Sequence, residues 1–139
     1  MIVITWDASP YGMGATLQVS GNFEAFFAIP IAQQDEDILN TPSGDCKGQQ
    51  VWEALAGLVA SRTWAARWQH FPVVLQVRSN NMGALTLFAT LKAGSPSLAI
   101  IAREFAIDLG KATCKPVCEM SCVCFEVCEL SLCELNPVR

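Results

Sequence analysis

Apolar positions along this chain cluster in ways that predict its elements one after another. Ile2-Val3-Ile4-Thr5-Trp6 is a β-branched and aromatic run, the pattern of a buried strand, and Asp7 stands at its end. Ser9-Pro10-Tyr11-Gly12 matches a type I turn, with Ser at the first position, Pro at the second and Gly at the fourth. Met13 to Val19 reads as a second strand, Ser20-Gly21-Asn22 as a hairpin turn and Phe23 to Ile31 as a third strand. Three strands joined by tight turns form an antiparallel meander. Residues 32–46 are polar and acidic, with Asp35-Glu36-Asp37, Pro42 and Gly44, and predict a surface loop with a solvated charge run.

Residues 49–69 contain no proline, and Gly57 is their only weak helix former. Trp52, Leu55, Val59 and Ala66 lie near one helical face, so a helix is expected there, ended by Pro72. Val73-Val74-Leu75-Gln76-Val77 follows as a continuous apolar strand of the kind covered on both faces. Ser79-Asn80 supplies an N-cap for a helix over 81–92, closed by Gly94. Ser95-Pro96 caps and opens a further helix, on which Leu98, Ile101, Ala102, Phe105 and Leu109 form one apolar stripe ended by Gly110. Thr113 to Met120 is a candidate fifth strand, and the rest of the tail has little pattern.

With 139 residues the chain fits one domain with a real core, and at 52% hydrophobic and 16% charged it is too apolar for disorder. No apolar run reaches the ~18 residues of a membrane helix. The start carries no basic segment or cleavage site and is not read as a signal peptide, so an intracellular setting, cytoplasm or nucleus, is expected. The net charge of −4 combines three basic and seven acidic side chains in residues 1–70 with six of each in residues 71–139. No basic stripe marks a nucleic-acid footprint, which argues against tight autonomous binding to phosphate backbones. Of seven cysteines, Cys46 stands apart and six crowd the tail (Cys114, Cys118, Cys122, Cys124, Cys128 and Cys133). An odd count without a secretion signal indicates reduced thiols. A zinc site is disfavoured, because the tail has no His and no Gly knuckles beside its cysteines.

Three residues are placed to meet. Asp7 ends the first strand, Glu53 lies in the first turns of the long helix, and Asn80 follows the fourth strand. If the fourth strand runs parallel beside the first, their C-terminal ends adjoin and the covering helix aims Glu53 at the same point. Converging carboxylates hold hard cations such as Mg²⁺. Ala56, Gly57, Ala60 and Trp64 share the side of Glu53, which is less polar than a solvated face.

The stretches Thr5-Trp6-Asp7-Ala8-Ser9-Pro10-Tyr11-Gly12-Met13-Gly14-Ala15, Trp52-Glu53-Ala54-Leu55 and Val77-Arg78-Ser79-Asn80-Asn81-Met82-Gly83-Ala84-Leu85, continued by Ile101-Ala102-Arg103-Glu104-Phe105-Ala106-Ile107-Asp108-Leu109, resemble the ribonuclease H domain of retroelement reverse transcriptases of the LTR or DIRS type. The resemblance covers about residues 2–112 and leaves 113–139 as a divergent Cys-rich tail. It implies an α/β ribonuclease H-like fold: a mixed five-stranded sheet, with an antiparallel meander of strands 1–3, parallel strands 4–5 and flanking helices. It also implies cleavage of the RNA strand of RNA–DNA hybrids, beside the reverse transcriptase domain of a parent polyprotein and with no membrane partner. The family holds two Mg²⁺ with four acidic residues, to activate water and stabilise the leaving oxygen.

Carried over residue by residue, Asp7 matches the first metal ligand and Glu53 the second. Asn80 stands where the family has an Asp as third. The fourth has no match; Glu126, Glu129 and Glu134 are available and no motif selects one. Ser9, Arg78 and Ser79 are candidate substrate contacts, Arg78 and Ser79 for a phosphate or the sugar 2′-hydroxyl. Asn80 keeps an oxygen but loses a charge, and loss of one such group costs on the order of 10²-fold or more in rate. Activity is therefore expected to be severely reduced or absent, and the alternative is an inactive structural or connection-type module. His70 is expected to serve the helix end, and Trp52, Trp64, Trp68 and Phe105 the core.

Overall fold

The computed structural model describes residues 1–68, 74–111 and 117–121. β1 (Ile2–Ala8), β2 (Gly12–Val19) and β3 (Asn22–Pro30) form the expected meander. β1 pairs with β2 and β2 with β3, both antiparallel, with a register shift between Leu17 and Gln18. The β2–β3 turn works because Ser20 and Gly21 both take positive φ (51° and 81°), the twist a two-residue hairpin requires. The β1–β2 connection lacks the backbone bond from the Gly12 N–H to the Ser9 carbonyl that closes many type I turns. The Ser9 N–H donates to the Gly12 carbonyl at 2.8 Å, and Ser9 Oγ accepts from the N–H groups of Tyr11 and Gly12 at 3.2 and 3.1 Å. A side-chain oxygen thus takes the place of the backbone carbonyl that would close a type I turn.

Residues 32–46 are not all loop. They contain α1 (Gln33–Leu39), whose first turn holds Asp35 and Glu36. Acidic groups there complement the helix dipole, and the Asp35 carboxylate accepts from the Ala32 N–H at 3.1 Å. Buried Leu39 anchors the helix, and the Ser97 and Thr41 hydroxyls donate to its carbonyl at 2.6 and 2.9 Å.

A short 3₁₀ turn, Cys46–Gly48, leads into α2 (Gln49–Thr63). The helix stops earlier than expected, giving way to a second 3₁₀ turn at Ala65–Arg67, where Ala66 is exposed. His70 and Pro72 lie outside the described residues. Every residue from Val51 to Leu58 is buried, so α2 is apolar almost all round and its stripe was weak in the sequence.

β4 (Val74–Arg78) runs parallel to β1, pairing Ile4 with Val77 and Thr5 with Arg78. α3 (Met82–Thr90) follows. Its N-cap is Asn81, not Asn80: the Asn81 side chain accepts from the Ala84 N–H at 2.9 Å. Leu91, in the left-handed region at φ 56°, ends it before Gly94 is reached. α4 (Pro96–Lys111) begins as expected, with Ser95 Oγ accepting from the Leu98 N–H at 3.3 Å, and runs through Gly110. β5 (Val117–Ser121) pairs parallel with β4, giving the sheet order β3-β2-β1-β4-β5. Residues 113–116 of the candidate last strand lie outside the described residues.

The core lies where α2 packs against β1 and β2 and where α3 and α4 close over it. Trp6 of β1 meets Phe88 of α3 at a centroid distance of 5.3 Å, and Phe88 meets Phe105 of α4 edge-on at 4.4 Å. Trp52, Trp64, Trp68 and Phe105 are all buried. Within the core, the packing demands glycine at position 57: a Cβ there would lie 2.8 Å from the Phe88 ring and 2.9 Å from Trp6.

Candidate active site

Three elements deliver the site. The parallel β1–β4 register ends at Thr5 and Arg78, so Asp7 and Asn80 each lie two residues beyond the last pair, at adjoining strand ends. α2 crosses β1 and brings Glu53 to Asp7. Asp7 is exposed, whereas Glu53 is only 2% exposed.

A carboxylate this buried needs donors. Glu53 Oε1 accepts from the Ala8 N–H at 3.2 Å and from Gln49 Nε2 at 3.2 Å. Glu53 Oε2 accepts from Ser79 Oγ at 3.3 Å. Gln49 Nε2 also donates to the Ala8 carbonyl. The donors do not offset the environment. Burial pushes the Glu53 carboxyl from 4.5 up to about 7, and the adjacent Asp7 adds to it by hydrogen bonding to the protonated form and by its charge. The Ala8 N–H and the Gln49 amide act in the opposite direction.

The remaining candidates are distributed around this pair. Asn80 is exposed next to buried Ser79. Ser79, a candidate substrate contact in the sequence, turns its hydroxyl inward, donating to Glu53 and accepting from the Asn81 N–H at 3.2 Å. Arg78 is half-buried; its Nη2 donates to Gln76 Oε1 at 3.1 Å, and its Nε is buried without a partner among the described residues. Ser9 is engaged in its own loop. Gln49 was missed in the sequence, although its i, i+4 spacing to Glu53 on a helix was the available signal.

The donor set suits one Mg²⁺. Such an ion keeps several waters and takes one or two carboxylates, and a dication would relieve the Asp7–Glu53 conflict. Among the described residues no three His, Cys, Asp or Glu side chains cluster.

Solved structures share this architecture. LC11-RNase H1 in complex with an RNA/DNA hybrid superimposes with a TM-score of 0.68 at 16% identity, over 88% of this chain and 85% of that one. The fold is that of ribonuclease H. RNase H1 from the halophilic archaeon Halobacterium salinarum NRC-1 gives 0.61 at 12% identity, over 88% and 84% of the two chains. The N-terminal RNase H domain of a Mycobacterium tuberculosis protein gives 0.62 at 11% identity, over 88% and 81%. No family model matches the sequence, and no curated protein matches it either. Among the described residues, no helix of this ribonuclease H-like domain is long and apolar enough to cross a membrane.

Proposed function

We propose that the chain is the ribonuclease H-type domain of a retroelement polyprotein, working inside the cell beside a reverse transcriptase domain, with a site weakened by Asn80. The observation that carries this reading is the pairing of Asp7 and Glu53 in a ribonuclease H fold, at the adjoining ends of β1 and β4. The hybrid bound by LC11-RNase H1 supports an RNA–DNA hybrid as substrate. Asp7 would hold Mg²⁺ from the exposed side and Glu53 from within, with the Asn80 amide oxygen as a neutral third donor. The ion would supply charge stabilisation and water activation at the scissile phosphate. Asp7 faces the substrate side, Glu53 is kept in place by its donors, and Asn80 lines the site without the charge that would offset a second cation. Arg78 and Ser9 remain the candidate contacts to the nucleic-acid backbone.

A second reading, an inactive connection-type module, is favoured by the same Asn80 and by the net charge of −4. Cleavage of a labelled RNA–DNA hybrid in Mg²⁺ and in Mn²⁺ separates the two. The unaltered chain is expected to cleave little or not at all, Asn80→Asp to gain on the order of 10²-fold, and Asp7→Asn to be inactive. Full cleavage by the unaltered chain refutes the weakened site. A folded Asn80→Asp chain that does not cleave supports the structural module.

A further inference from the structure

Glu53 has two oxygens and about four acceptor positions. Two donors occupy Oε1, from Ala8 at the end of β1 and Gln49 at the start of α2. One donor, Ser79 Oγ, occupies Oε2. Among the described residues Oε2 thus has a single donor where Oε1 has two, and is the less committed of the two oxygens. Ser79 decides where that oxygen points. It is 2% exposed, and its own hydroxyl is fixed by the Asn81 N–H, one residue before α3 begins. Asn81 is in turn fixed as the cap of α3 through Ala84. Ser79 therefore ties the direction of the Glu53 carboxylate to the end of β4 and the start of α3.

The geometry points to Ser79 as a positioning residue that holds the Glu53 carboxylate beside Asp7 in the orientation from which it would meet a divalent cation. This rests on reading Asp7 and Glu53 as the cation-facing pair. It removes Ser79 from the set that touches RNA and places it one step behind the site. Partners of this kind, acting through a ligand, change metal affinity ~10–100-fold when lost.

Two measurements on the full chain test it, with Mn²⁺ alone as the metal probe. Binding is followed by the EPR signal of free Mn²⁺, and the Ala8 amide resonance, which reports the Glu53 oxygen it touches, is recorded without metal. Ser79→Ala is expected to weaken Mn²⁺ binding about 10-fold or more and to move the Ala8 resonance, whereas Ser79→Thr, which keeps the hydroxyl, restores both. Should Ser79→Ala not fold, Ser79→Cys, similar in size but a weak donor, carries the same expectation. A folded Ser79→Ala with unchanged Mn²⁺ affinity and an unmoved Ala8 resonance overturns the proposal. Asp7→Asn serves as the control for the underlying site. If it binds Mn²⁺ as well as the unaltered chain does, the cation reading fails, and an Ala8 resonance that moves in Ser79→Ala and returns in Ser79→Thr still supports Ser79 as the residue holding Glu53.

Discussion

Replacing Glu53 with Gln should stabilise the protein at alkaline pH and leave it almost unchanged in acid. The reason is the environment of the carboxyl group. In the unfolded chain Glu53 titrates near 4.5, whereas in the folded protein burial and Asp7 push it up to about 7. Below 4.5 the group is protonated in both states and costs nothing. Between the two values the folded state binds the extra proton, so stability falls as pH rises. Above 7 the group is ionised in both states and the full cost is present, on the order of 3 kcal/mol at ~1.4 kcal/mol per pH unit of displacement. Gln keeps the shape, can still accept from the Ala8 N–H, and cannot ionise. Urea unfolding of both forms across the pH range gives the difference directly. The difference should be near zero at pH 4, grow through pH 5 to 7, and level off above that in favour of Glu53→Gln. Millimolar Mg²⁺ should close the gap at high pH by stabilising only the form with both carboxylates. A Glu53→Gln protein less stable than its parent at pH 8, or a difference independent of pH, would refute the argument that burial beside Asp7 strains this group.

Gly57→Ala should destabilise despite the better helix propensity of Ala: the new Cβ would press Phe88 and Trp6 at 2.8 and 2.9 Å. Overpacking costs ~1–3 kcal/mol against a helix gain of under ~1 kcal/mol, so urea unfolding should show a net loss, and a net gain would contradict the close packing. Arg62 joins α2 to α4 through Asp108 at 2.6 Å and Glu104 at 2.8 Å, with its side chain 46% exposed. Arg62→Met should therefore cost about 1 kcal/mol or less in thermal unfolding, and molar salt should erase the difference.

The sequence disclosed most of the sheet and little of its fine control. The meander was legible because strong β-formers alternate with residues that tolerate positive φ, as at Ser20-Gly21. α1 was hidden because its seven residues are too few to show a period, and its acidic first turn looks the same as a solvated loop. What makes it a helix is tertiary: Leu39 is buried and its carbonyl is held by Ser97, 58 residues away. The α3 cap was misplaced by one position because Ser79, Asn80 and Asn81 can all cap, and only backbone geometry selects Asn81. That choice frees Asn80 to stand at the surface of the site and Ser79 to turn inward. Glu53 stood out as a charge among small apolar residues. Gln49 did not, because a polar residue at the start of a helix is ordinary until its partner is known.

The close packing at Gly57 and the candidate site are parts of one arrangement. Trp6 immediately precedes Asp7 on β1, and Gly57 follows Glu53 by one turn on α2. The absence of a side chain at Gly57 lets α2 settle against Trp6 and Phe88, and the same helix carries Glu53 beside Asp7. Two carboxylates do not come together of their own accord, so the energy that holds them there has to come from elsewhere. Burial of Trp6, Trp52, Ile4 and Leu17 supplies it, at ~1.5–3 kcal/mol for a large apolar side chain, comparable per residue with the penalty borne by Glu53. A core with large side chains on β1 and α2 can therefore sustain a strained pair at its edge. It would do so whether or not Asn80 leaves enough charge for catalysis, which is why the geometry of the pair and the activity of the domain have to be measured separately.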